Sequence, residues 1–334
     1  MGTAARVRVT VEDAIGGIGR GAWERLAAGA PAFYGHAFLR SIEERPLTAG
    51  SKAFYLVARD GAGEPAAVLP LYLAHTADPF AADPDAPAVR ILAGHMWHCY
   101  DTVLPSRLPV GPGLVGPLWE ALADLAADTG ADTWGLVNIP LGGELASALE
   151  GIGLELQETT PRYRLPRDPG PASVDDHLAG VGRSSRRTMR LYRRRAADAG
   201  AVVRFDTPDR ALRRDVLDLC LATADKHAPG YYPPDELEAL LRALGEDCRI
   251  LRLELDGTLL AASICLLDRR SAHFWAGGSL YPDELNWSPQ YVLFAAEMEA
   301  GLGTGRPVLE FGRRNDEFKT RYGLRQVRLG RVVG

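Results

Sequence analysis

The alternation of apolar and polar positions divides the chain into short elements from its first residues. Val7–Val11 alternates valine with polar side chains and predicts a half-buried strand. Gly21–Ala28 and His36–Glu44 carry an apolar stripe at helical spacing. Phe54–Arg59 and Ala66–Leu73, separated by the polar turn Asp60–Glu64, predict a strand hairpin. Asp78–Pro87, with three prolines and three acids, predicts a surface loop, and glycines and prolines break Gly94–Pro117 into no clear element. Beyond it come a helix over Leu118–Asp128, a strand over Thr133–Ile139 and a short helix over Glu144–Leu149. Strands over Leu154–Glu158 and Arg162–Leu165 follow, then a linker over Arg167–Ala172.

The second half repeats that order. Cys248–Leu255 and Leu259–Leu267 predict strands joined by an Asp256-Gly257 hairpin turn, and Ala272–Ala276 predicts a third strand. A helix over Pro289–Leu302, a strand over Pro307–Phe311, a short helix over Asp316–Arg321 and a strand over Val327–Val332 complete the series. The segments FYLVARDGAGEPAAVLPLYL and RILRLELDGTLLAASICLL agree in pattern and apolar phase, and each is followed by a helix ending at glycine, Gly130 or Gly305. Agreement in order and length points to a duplicated unit; ordinary α/β alternation gives a looser match. The expected fold class is α/β with mixed sheets in two tandem units, 1–166 and 173–334.

Length and composition fit that picture. The 334 residues, 46% hydrophobic and 24% charged, can fill two globular cores. No apolar run approaches a membrane span, and MGTAARVRVTVED lacks the apolar core of a secretory signal. Cys99, Cys220, Cys248 and Cys265 are scattered without paired spacing, so a reducing cytoplasmic location is expected. Charge changes the picture more. Residues 1–160 carry 10 basic and 19 acidic side chains, whereas 161–334 carry 28 and 24. The basic excess is concentrated in Gly182–Arg195, where seven arginines fall within thirteen positions with no acid among them. As a helix, this segment places Arg183, Arg187, Arg190 and Arg194 on one face, with Arg186 and Arg193 beside it. Guanidiniums this close repel one another unless anions answer them, and phosphates are suited to the task. A solvated helix neutralised by acids of the first half is the plainer alternative.

Several residues carry a family resemblance. Leu309-Glu-Phe-Gly312, Glu317-Phe-Lys319 and Tyr322-Gly323 match a closing strand–Gly–x–Phe-Lys–x–x–(Phe/Tyr)-Gly signature. Gly278-Ser-Leu-Tyr281 through Pro289 to Gly305 resembles a strand–loop–helix, and Arg183–Arg195 resembles an arginine-rich helix opening a second domain. Together they resemble the FemA/FemB/FemX-like family of duplicated GNAT-fold N-acyltransferases, relatives of the non-ribosomal peptidyl transferases. The resemblance spans nearly the whole chain and lacks the coiled-coil arm. It implies a two-unit enzyme that forms an amide by moving an aminoacyl group from aminoacyl-tRNA onto a primary amine, without a resident cofactor. Lys319, with Phe318, is then placed at the donor ester, and Arg183, Arg186, Arg187, Arg190, Arg193 and Arg194 hold donor phosphates. The Arg/Gln-x-x-Gly-x-Gly/Ala loop that holds CoA pyrophosphate in ordinary GNAT enzymes is missing before Pro289. Acyl-CoA is therefore the second donor to weigh, and a non-catalytic RNA-binding module the third reading.

Other chemistry is less specific. Trp275, Tyr281, Asn286 and Trp287 surround the strand–loop–helix where GNAT folds hold their acyl group, and fit either substrate contact or core. Lys226, His227, Tyr231 and Tyr232 offer a cation, an imidazole and phenols on a loop, or a plain connection between helices. Gly94-His-Met-Trp-His98-Cys99-Tyr-Asp101 groups metal-ligand types without a second cluster at ligand spacing, so no metal is expected. Glu310 and Asp316 flank the signature as candidate general bases. Gly16–Gly21 lacks the context of a dinucleotide loop, and no nucleophile elbow or ATP loop occurs. The acceptor stays open among a cell-wall precursor, a small antibiotic-like amine and a peptide N-terminus; the oligomeric state stays open as well.

Overall fold

A computed structural model describes residues 7–77, 87–95, 98–166, 170–226 and 228–334. Most of the expected 78–87 loop, half of the 167–172 linker, Met96, Trp97 and His227 lie outside the described residues. The chain divides into two compact units, Met1–Pro161 with Val327–Gly334, and Arg162–Gln326.

The first unit contains β1 (Arg8–Glu12), α1 (Arg20–Leu26), α2 (His36–Glu44), β2 (Lys52–Arg59), β3 (Pro65–Thr76) and β4 (Val89–Gly94). It continues with α3 (Pro112–Thr129), β5 (Thr133–Pro140), α4 (Glu144–Gly151) and the start of β6 (Gln157–Pro166). β1 through β4 pair antiparallel in sequence order, and β4 pairs parallel with β5 across α3. Leu114, Leu118, Leu122 and Leu125 on one stripe of α3 bury against Leu56, Leu69, Leu71, Leu92 and Leu136 of the sheet. Each such side chain contributes about 1.5–3 kcal/mol on leaving water.

The second unit holds α5 (Val174–Ala179), α6 (Arg183–Asp198), β7 (Val202–Asp206), α7 (Pro208–Ala211), α8 (Arg214–Asp225) and α9 (Pro234–Leu244). Then come β8 (Cys248–Leu255), β9 (Thr258–Leu267), β10 (Ser271–Ser279), α10 (Pro289–Gly303), β11 (Val308–Arg313), α11 (Asp316–Arg321) and β12 (Arg325–Val333). The pairing rule is that of the first unit: β7 through β10 are antiparallel in order, and β10 runs parallel to β11 across α10. Phe294, Ala295, Met298 and Leu302 of α10 fill the core with Phe274, Leu309 and Phe311. The duplicated order expected from the sequence is present, including the Asp256-Gly257 turn with both φ angles positive.

The closing strands revise the expected boundaries of 166 and 173. Residues 162–166 of β6 pair with β11 and belong to the second unit, whereas 329–333 of β12 pair with β5 and belong to the first. The two repeats thus exchange the ends of their last strands. Pro161 makes β6 look like two strands in sequence, since proline cannot donate to a ladder. In the structure β6 is one strand, and Pro161 stands immediately before it takes β11 as partner. Two further differences have local causes. α3 begins at Pro112, which suits the first turn, rather than at Leu118, and continues through Pro117 inside the helix. β4 lacks alternation in its buried Ile91–Gly94 run, as a strand covered on both faces does.

Gly278 is the tightest packing point of the second unit's sheet. A Cβ there would overlap the Leu219 carbonyl oxygen and lie 2.8 Å from Thr223 Oγ1, so α8 lies on β10 only because the side chain is absent. Gly278→Ala is expected to lower unfolding stability by about 2–4 kcal/mol in denaturant titration.

Candidate active site

The parallel ladder of the second unit ends early. Its last register pair is His273 with Glu310, after which β10 stays with β9 as far as Ser279 and β11 meets Arg162 of β6 at Arg313. Two ionisable groups are buried near this parting. Lys319 comes from α11, whose N-cap Asn315 adopts a left-handed conformation. It is 7% exposed, its Nζ donates to the Arg313 carbonyl at 2.6 Å, and it faces the Tyr163 ring with 5.5 Å to the centroid. Burial lowers its pKa to about 8, against the opposing pull of Glu297 and Asp316. Lys52 and Lys226 are both exposed, so this is the one buried lysine of three.

Glu297 comes from the middle of α10 and is 9% exposed. Burial raises its pKa to about 7, while a hydrogen bond from the Ser263 hydroxyl and the charge of Lys319 act the other way. Ser263 lies on β9 opposite Gly277, past the end of the β10–β11 ladder. Sequence reasoning passed over both residues. The signal was Glu297 itself, an acid four residues after Leu293 and four before Gly301 on a buried helix face.

Ser184, Ser185 and Thr188 of α6, Tyr291 of α10, and Arg321 and Tyr322, which follow Lys319 in sequence, line an open pocket of about 340 Å³. Tyr322 donates its hydroxyl to the Ser185 carbonyl at 3.0 Å, which ties the end of α11 to the first turn of α6. Phe318 is half-buried and packs against the two pocket tyrosines, with ring centroids 5.1 Å from Tyr291 and 4.8 Å from Tyr322. It backs the pocket wall, and Lys319 follows it one residue on.

α6 forms where the arginine run required a helix. Arg183, Arg187, Arg190 and Arg194 all lie on its exposed side. Arg190 meets Asp175 at 3.0 Å, and Arg193 lies 3.5 Å from both Asp175 and Glu299. Arg186 donates to the Ala179 carbonyl, and Arg195 to the carbonyl of Asn286. Among the described residues, Arg183, Arg187 and Arg194 meet no acid. The helix is thus partly compensated by α5 and α10, with three guanidiniums left facing solvent.

The expected substrate contacts are dispersed. Trp275 is buried at the β10 irregularity and packs edge-on against Tyr232, which packs against Tyr231. These three form one aromatic group. Lys226 is exposed at the C-terminus of α8, while Tyr281 and Asn286 sit on the exposed loop before α10. Glu310 forms a buried ion pair with Arg162 and is thereby engaged structurally rather than free to act as a base. Asp316 is exposed in the first turn of α11.

The first unit has the corresponding parting after Gly94 and Leu136, and its own chain bridges it. Thr102 donates its amide to the Asn138 carbonyl at 2.9 Å, and the Asn138 side chain donates to the Cys99 carbonyl at 2.6 Å. His95 is fully buried and stacked on Tyr72, and burial lowers its pKa to about 4, which keeps it neutral. Among the described residues, no group of three His, Cys, Asp or Glu side chains is arranged to hold a metal.

Residues 183–320 match the family model described as an Acetyltransferase (GNAT) domain. The crystal structure of FemX matches with a TM-score of 0.61 at 13% identity, over 87% of this chain and 90% of that one. The C-terminal domain of a putative lysylphosphatidylglycerol synthetase from Agrobacterium fabrum matches with a TM-score of 0.58 at 12% identity, over 95% and 91%. A tandem GNAT protein from the clavulanic acid biosynthesis pathway matches with 0.58 at 15% identity, over 98% and 97%. No curated protein sequence matches significantly. The chain therefore has the duplicated GNAT fold that the closing signature anticipated, and the family-model match falls within its second unit.

The contrast between Glu310 and the free arginines is testable by stability alone. Glu310→Ala strands the buried Arg162 charge and is expected to cost about 3–5 kcal/mol in denaturant titration. Arg187→Ala and Arg194→Ala, both exposed, are expected to stay within about 0.5 kcal/mol of the parent.

Proposed function

We propose that this chain is an N-acyltransferase that moves an aminoacyl group from aminoacyl-tRNA onto a primary amine, with the chemistry in the second unit. The observation that carries the proposal is Lys319: a buried ammonium held by the Arg313 carbonyl, within the residues that match the acetyltransferase domain, two and three positions before the pocket-lining Arg321 and Tyr322. In the reaction the amine nitrogen attacks the ester carbonyl carbon, and the carbonyl oxygen takes the negative charge. The C–O bond to the ribose then breaks, the tRNA hydroxyl leaves, and the amine gives up a proton. A fixed cation in a water-poor site stabilises the oxyanion far better than one in water. Lys319 spends one N–H on Arg313 and keeps two for the developing charge. No covalent enzyme intermediate and no resident cofactor are needed; positioning supplies much of the rate.

The donor follows from α6. Its exposed arginines run from Arg183 to Arg194, a length of about 16 Å at helical rise, which suits successive phosphates of a polynucleotide better than one pyrophosphate. The solved neighbours point to the same two donors: one is named for lysyl transfer, and another was solved without AcCoA. The missing pyrophosphate loop before Pro289 favours the first. Among the described residues no helix is long and apolar enough to cross a membrane. A cytoplasmic enzyme meeting charged tRNA fits that composition.

Three outcomes test this. Incubation with charged tRNA and a pool of amines should yield a new amide that RNase abolishes; RNase-resistant transfer from acyl-CoA would assign the other donor, and neither would leave an RNA-binding module. Lys319→Ala should lower kcat by about 10²–10³ with little change in donor affinity. Arg187→Ala with Arg194→Ala should weaken donor binding and flatten its log–log salt dependence by about 1.5 units. Because Lys319 acts as the cation and titrates at about 8, kcat should fall as pH rises through that value.

A further inference from the structure

We propose that the open pocket lined by α6, α10 and the end of α11 is a subsite for one unpaired ribonucleotide, recognised through its ribose hydroxyls and its phosphate. This deepens the aminoacyl-tRNA reading and rests on it for the identity of the donor. The lining carries the argument. Among the described residues, the hydroxyls of Ser184, Ser185, Thr188 and Tyr291 have no hydrogen-bond partner in the protein. Other helical threonines bond back to a carbonyl four residues earlier, Thr129 to Leu125 and Thr223 to Leu219. Thr188 makes no such bond, and its side chain lines the pocket instead.

A hydroxyl both donates and accepts, so four of them match a ligand that does both, as the hydroxyls of a ribose do. A phosphodiester only accepts, and a seat for it alone would be built from N–H groups and cations. One lining residue supplies that part. Arg321 is paired with Glu317 across one helical turn, an exposed contact that a phosphate can replace with a charge-assisted bond. No acid is among the lining residues. Tyr291 is held edge-on by Tyr192, Phe318 and Tyr322, which gives the pocket a fixed aromatic wall for a base. Its volume of about 340 Å³ lies near the lower end of ligand pockets, about 300–1,000 Å³, and exceeds what a bare anion fills. Placement supports the same ligand. Ser184 and Thr188 each follow a free arginine, Arg183 or Arg187, and stand about 100° round the helix from it. A strand whose phosphates run along the arginines therefore borders the pocket, and only an unpaired nucleotide can turn into it.

Fluorescence anisotropy with labelled single-stranded tetranucleotides of one sequence, as RNA and as DNA, separates the pocket from the arginines. The RNA form should bind about tenfold more tightly, the effect of one hydroxyl pairing left unmade by DNA. Ser184→Ala with Thr188→Val should bring that ratio to within about twofold, while the salt dependence keeps its slope because no phosphate contact is lost. Arg187→Ala with Arg194→Ala should weaken both forms together and flatten the slope, leaving the ratio in place. A ribonucleoside monophosphate should displace the RNA at concentrations where inorganic phosphate does not. Equal affinity for RNA and DNA in the parent overturns the subsite, as does a ratio that survives the hydroxyl variant or displacement by phosphate alone. Should the hydroxyl variant fail to fold, Ser184→Trp at an exposed position fills the pocket and must abolish the ratio. Coenzyme A also carries a phosphorylated ribose. If it binds in a Thr188-dependent way and RNA does not, the polynucleotide source is overturned. Absence of any transfer activity refutes the acyltransferase reading instead, since the ratio is read from binding alone.

Discussion

The constraint on which the site depends is the burial of one lysine. An ammonium taken from water into a protein interior loses several kcal/mol of solvation, so a fold that keeps it must surround it with compensation. Each neighbour of Lys319 answers part of that demand. The Arg313 carbonyl accepts its proton, the Tyr163 face lies over it, and Glu297 provides the opposite charge. The opposed shifts of the two ionisable groups, down to about 8 and up to about 7, express the same burial acting on charges of opposite sign. A solvent-exposed lysine would require none of these partners and would stabilise an oxyanion weakly.

That environment depends on the exchange of closing strands. Tyr163 and Arg162 are encoded at the end of the first repeat, yet they pair with β11 and pack in the second unit. The second repeat read alone lacks the ring over Lys319 and the partner of Glu310. The first unit received β12 in return, and Gly135 is required there because a Cβ would overlap the Val332 carbonyl. The two units then diverged at the equivalent place. In the first, Asn138 bonds to Thr102 and Cys99, so backbone of the same unit takes the hydrogen-bonding groups beyond the strand parting. In the second, the corresponding region holds the buried Lys319, and the residues that follow it, Arg321 and Tyr322, line an open pocket. Duplication supplied the scaffold twice, and the family-model match falls in the second copy.

Much of this was legible in the sequence where local rules govern. The hairpins, the arginine helix, the short helix bearing Lys319 and the repeated order all follow from periodicity, turn residues and one signature. What was not legible is what depends on distant partners. No local pattern says that residues 162–166 pair with β11, and Pro161 argued for a break that the structure does not have. Glu310 looked available as a base because its partner, Arg162, lies 148 positions away. Glu297 was overlooked because a single acid in an apolar helix gains meaning only once Ser263 and Lys319 are placed beside it. The aromatic group of Trp275, Tyr232 and Tyr231 was foreseen as residues and not as one edge-on cluster.

The arginine helix completes the argument by separating attraction from chemistry. Its exposed charges act over distances that salt screens within about 8–10 Å at ordinary ionic strength, so on the proposed reading they would concentrate and orient a polyanion without touching the reacting bond. Lys319 acts over a single contact in a place where water cannot screen it. If both tasks fell to one cluster, strengthening donor capture would also hold the ester in its ground state, and binding energy would be lost to turnover. The free arginines lie on the exposed face of α6, while Ser184, Ser185 and Thr188 of the same helix line the pocket, so on the proposed reading one helix would serve both ends.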